Sequence, residues 1–121
     1  MSTEYQIRAK YNSAMSTADE LDSIAVALSN LAYSDFEGTL SNLRTAWKGE
    51  NAERFLQKGN IVKEQIASTV GEIRSAASEL RSDARATYEA EMRALEILRK
   101  KKKDMLEAVK DVFGGGGGGS R

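Results

Sequence analysis

Trp47 and Gly49, in the stretch Leu43–Phe55 (LRTAWKGENAERF), and the basic run Arg99–Lys103 are the residues whose types and spacing point to chemistry. That chemistry is recognition. The sequence holds no histidine and no cysteine, which removes the commonest general base, the commonest metal ligand and thiolate nucleophiles. No G-x-S-x-G, P-loop, H-E-x-x-H or EF-hand pattern occurs. The many carboxylates stand three or four residues from Lys or Arg, which is the spacing of helix-surface ion pairs. The chain is therefore expected not to be an enzyme and to take no metal or cofactor. An aromatic anchor at a bend and a strip of cations are features that bind partners.

The elements that must position these residues are two long helices. Of the 121 residues 30% are charged and none is proline, so nothing obliges either run to kink or stop. Thr3 and Gln6 stand in the S/T-x-x-E/Q pattern of a capping box. Ile7, Tyr11, Ala14, Ala18, Leu21, Ala25, Leu28 and Ala32 then alternate steps of four and three, a heptad seam that Ile24 and Leu31 widen. Ser34, Asp35 and Gly38 weaken the middle of this run. The pattern predicts one helix over about 4–46, bent or loosened near 34–38. Gly49 is expected to end it in a left-handed conformation, with Trp47 packed at the bend and Asn51 capping the second helix.

A second run carries Ala52, Phe55, Gly59, Val62, Ile66, Val70, Ile73, Ala77, Leu80, Ala84, Tyr88, Met92 and Leu95 at the same spacing. Gly59 and Gly71 are read as sites of close helix contact. Beyond the basic run, Met105, Leu106, Val109, Val112 and Phe113 fit an amphipathic extension, so the second helix is expected over about 51–112. The remainder, 113–121, reads as a flexible glycine-rich tail. The expectation is a soluble all-α protein, a hairpin of two long antiparallel helices. One hairpin cannot cover broad apolar stripes on both arms, so it should dimerise into a four-helix bundle. Tyr11, Leu21, Leu28, Phe55, Ile66, Ile73 and Leu80 are the expected bundle core.

Trp47-Lys48-Gly49 at the bend, with Ala52 and Phe55 beyond it and uninterrupted arms on both sides, resembles the signature of the WXG100 superfamily over roughly residues 5–95. The resemblance implies a small hairpin exported by, or serving, a type VII (ESX-type) secretion system. Such a protein is cytoplasmic before export and secreted without a cleaved signal peptide. It implies a homodimer, or a heterodimer with a related hairpin or the N-terminal domain of an LXG-type toxin, and contact with the secretion ATPase. In that family W-x-G is one half of an export signal. The other half is a Tyr followed four residues later by an acid. Tyr88 stands about where that Tyr belongs, but Met92 occupies the fourth position after it and the nearest acid is Glu91. A zero net charge argues against nucleic acid as a partner, and membrane contact is not expected. Two other readings remain: a coiled-coil adaptor unrelated to secretion, and a peripheral binder of anionic surfaces working through Arg99–Lys103.

Overall fold

The computed structural model describes residues 3–119, and the side chains of 3–113. Its elements are α1 (Glu4–Asn30), a π-helical segment (Leu31–Phe36), α2 (Glu37–Ala46) and α3 (Glu50–Gly119), with no strand among the described residues. The chain is an all-α helical hairpin: α1, the π segment and α2 form the first arm, and α3 the second. The start of α1 is closed as its sequence predicts. The Gln6 N–H donates to Thr3 Oγ1 at 3.2 Å and the Thr3 N–H donates to Gln6 Oε1 at 3.0 Å, which satisfies two orphan amides at once.

The first arm spans 4–46 as expected, and its weak place is a π turn. The Glu37 N–H donates to the Ala32 carbonyl, five residues back. The buried residues explain why an extra residue is accommodated there. Ala18, Ala25 and Ala32 step by seven, but the next buried position is Leu40, eight residues on. A π turn absorbs one residue beyond the α-helical count, and so returns Leu40 to the seam.

The chain divides into two compact units, each of which pairs the arms antiparallel. The first, Ser13–Asp83, contains the corner. Its buried residues are Ala18, Ala25, Ala32 and Leu40 from the first arm and Ala52, Leu56, Gly59, Val70 and Ala77 from α3. Alanine and Gly59 make up most of this seam, with Leu40, Leu56 and Val70 as its large members. Its flanks carry ion pairs between the arms: Lys63 Nζ with Glu37 Oε2 at 2.7 Å, and Arg81 Nη2 with both Asp19 at 2.8 Å and Asp22 at 2.6 Å.

Gly59 lies in this seam, and a Cβ built on it would stand 2.6 Å from Leu40 Cδ2. Gly71 does not share that role, because a Cβ there meets nothing within 4 Å. The expectation of close contact holds for Gly59 and fails for Gly71, which lies on the solvent side of α3.

The second unit joins the segment up to Asn12 with the segment from Ala84 onward. Ile7 and Leu95 are buried in it, the Tyr11 and Tyr88 rings meet at 4.9 Å between centroids, and Lys10 Nζ pairs with Glu91 at 3.0 Å. Glu4 accepts from Arg8 at 3.0 Å and from Arg99 at 3.2 Å. The helix runs beyond 112, where glycine content predicts its end, to Gly119; residues 120–121 of the expected tail lie outside the described residues. Each glycine there costs about 1 kcal/mol against alanine inside a helix.

The hydrogen bond from Arg8 holds the Glu4 carboxyl below the ordinary glutamate range, and that from Lys63 does the same for Glu37. A group with a lowered folded value binds fewer protons folded than unfolded. Its contribution is therefore complete above the ordinary glutamate value, about 4.3, and is lost as pH falls through the lowered one. Thermal melts followed by circular dichroism should be nearly flat between about pH 6 and 8, since no histidine titrates there, and should fall below about pH 4. Glu37→Gln should flatten part of that acid limb.

Candidate functional site

The corner is built from the ends of α2 and α3. Helix α2 stops at Ala46 because Trp47 leaves helical space for an extended conformation, φ −127° and ψ 125°, while its N–H still donates to the Leu43 carbonyl at 2.8 Å. Gly49 comes two residues later with φ +113°, a conformation that L side chains rarely adopt. Its carbonyl accepts the Glu53 N–H at 3.1 Å, the first bond of α3.

Two expectations are corrected here. Gly49 acts at the N-cap of α3 and does not terminate α2, whose exit is made by Trp47. Asn51 is the second residue inside α3, so it does not cap it; the chain enters the helix one position earlier, at Glu50. The negative charge of Glu50 and Glu53 still falls in the first turn, where the helix dipole favours it.

Trp47 lies against Phe55, with ring centroids 6.0 Å apart and planes tilted by 53°. This aromatic pair closes the bend and leaves much of itself in water: Trp47 is 42% and Phe55 52% exposed. Beside it runs an apolar groove of about 350 Å³, lined by Phe36, Leu40, Leu43, Phe55, Gly59 and Val62. The corner thus presents a half-open indole, an open phenyl ring and a groove without charged walls except for Lys58. Such a surface is suited to an apolar or aromatic side chain.

Tyr88 and Glu91 belong to the other unit, in which Tyr88 packs on Tyr11 and Glu91 receives Lys10. Both side chains are half-buried and engaged with α1. Of the remaining expected core residues, Tyr11, Leu21, Leu28, Ile66, Ile73 and Leu80 are half-buried within the single chain, whereas Phe55 is exposed. Sequence reasoning did not pair Leu40 with Gly59, where a Cβ on the glycine would stand 2.6 Å from Leu40 Cδ2. The signal was there in principle: a buried leucine facing the one interior glycine that falls on the seam.

Among the described residues no group of three or more acidic side chains is placed to hold a metal ion, and no helix is long and apolar enough to cross a membrane. Comparison with protein families, with curated proteins and with solved structures finds no match for the chain.

Proposed function

We propose that this chain is a WXG100-like hairpin of a type VII secretion system that works by binding and not by catalysis. It pairs with a second hairpin, either its own copy or the helical domain of a larger effector. It leaves the cytoplasm with that partner or presents the partner for export. The secretion ATPase reads the corner, with Trp47 as the anchor and Gly49 setting the backbone path. The single observation that carries this reading is the half-open Trp47–Phe55 pair beside a positive-φ glycine. A tryptophan used solely to close the bend gains most by burying its whole indole, and this one does not.

Pairing has separate support. The seam inside one chain is made largely of alanine, and Ile24, Leu31, Phe55 and Val62 remain exposed on the arms. A core of that size gives a lone hairpin little stability.

The test is export from a cell carrying a type VII system, with the chain and its co-encoded partner expressed together. Trp47→Ala and Gly49→Val should each abolish appearance of the protein outside the cell. Trp47→Ala should keep its helical circular-dichroism signal, which separates recognition from folding. Normal secretion of both variants would remove the functional reading of the corner. A coiled-coil adaptor without a link to secretion predicts instead that neither the parent nor the variants appear outside the cell, with a lowered melting temperature as the sole effect of Trp47→Ala.

A further inference from the structure

Helix α3 continues well past its cover. Helix α1 begins at Glu4, and Glu4 Oε2 meets Arg99 Nη2 at 3.2 Å. Up to that point α3 keeps a half-buried seam of Ala84, Tyr88 and Glu91, ending in Leu95, which is 7% exposed. Among the described residues, the same seven-residue repeat then carries on without a facing helix. Ala84 and Glu91 lead at equal steps to Leu98, Met105 and Val112, and Leu95 leads to Lys102 and Val109. Met105 and Val112 are each 69% exposed.

A repeat of seven is the spacing of a helix–helix contact. It marks 98–113 as an unoccupied continuation of the α1–α3 seam. A membrane-surface helix has no need to keep that register.

Charge identifies the occupant. Arg99, Lys102, Lys103 and Lys110 line a shallow groove of about 320 Å³ along one side of Leu106, with Glu107 the one acid among them. Asp104 and Asp111 lie roughly 140–160° around the helix from the apolar stripe at 100° per residue. Lys102 occupies a seam position itself, where a lysine fixes the choice of partner at some cost in stability. Two copies of this segment face to face would bring these cations against one another, and like charges at such positions repel.

We propose that residues 98–113 dock an amphipathic helix of a partner chain, apolar along its seam and acidic along its flanks, lying in line with the start of α1. The surface is separate from the Trp47 corner and does not depend on the secretion reading.

The probe is a labelled three-heptad synthetic helix with Leu at a and d and Glu at e and g, titrated against the full chain by fluorescence anisotropy. Its counterpart carries Lys at e and g. The Glu peptide should bind and weaken with salt, and the Lys peptide should bind at least about tenfold more weakly. The double variants Met105→Glu/Val109→Glu and Lys102→Glu/Lys103→Glu should each reduce binding of the Glu peptide by about tenfold or more, with circular dichroism unchanged. Absence of binding, equal binding of the two peptides, or binding that survives both variants would overturn the proposal. So would attachment to phosphatidylserine-containing vesicles, lost in the same variants, without peptide binding; that result assigns the segment to a lipid surface. Self-association that vanishes in the same variants would assign it to a second copy. None of these readouts involves Trp47 or Gly49, so they stand or fall apart from export.

Discussion

Gly59→Val is expected to lower the stability of the folded chain by about 2–3 kcal/mol, as read from urea denaturation. The cause is local and geometric. Gly59 is buried in α3, and a Cβ there would lie 2.6 Å from Leu40 Cδ2, 3.1 Å from Cδ1 and 3.4 Å from Cγ. Leu40 is itself buried and is the residue that the π turn restores to the seam. An alanine at 59 could be met by rotating the far end of Leu40, and its better helix propensity would offset part of that cost. Valine adds two methyl groups to the same space. Leu40 must then leave its site, losing roughly 1.5–3 kcal/mol of burial, or the arms must separate.

Two companion variants isolate the cause. Gly71→Ala, where a Cβ meets open space, should raise stability by about 0.5–1 kcal/mol through propensity alone. Gly59→Val combined with Leu40→Ala should cost less than the sum of the two single changes, because the cavity left by one accepts the bulk of the other. A Gly59→Val variant as stable as the parent would mean that the arms do not meet there.

How legible this was in the sequence depended on range. The capping box at Thr3 and Gln6, the fold-back at Trp47–Gly49 and the span of the first arm rest on residues within a turn or two of each other, and the structure has them. The weakness near 34–38 was visible from Ser34, Asp35 and Gly38, but the π turn itself was not. It answers to the register of Ala32 and Leu40 against a facing helix, which a single-helix pattern does not contain. The same limit explains Gly71, whose face can be assigned only once α3 is placed against its partner arm. Phe55 was assigned to the core by its spacing. Its position in the second turn of α3, beside the half-open Trp47, leaves it in water within one chain. The ion pairs of Arg81 with Asp19 and Asp22 join residues far apart in sequence and have no local signature.

The double variant Ile24→Glu/Leu31→Glu is expected to turn a two-hairpin assembly into single chains while leaving each hairpin helical. Both residues lie on the first arm at heptad spacing and are about half exposed, so neither contributes much to the alanine seam of its own chain. Since about half of each side chain is already covered, burying the rest against a second hairpin would supply roughly 1 kcal/mol each. Replacing them with carboxylates removes that gain and would bury two unpaired charges if association persisted. The dissociation constant should therefore rise by a factor of about a thousand or more, at 1.4 kcal/mol per tenfold. Sedimentation velocity of the parent should give the mass of a pair, with itself or with a co-expressed partner, and the variant that of one chain. Unfolding should also respond to protein concentration in the parent and not in the variant, because association stabilises only the folded form. An unchanged mass in the variant would place the contact elsewhere on the arms, and a parent that is a single chain at all concentrations with every partner offered would leave these apolar residues without the cover that the pairing argument assigns them.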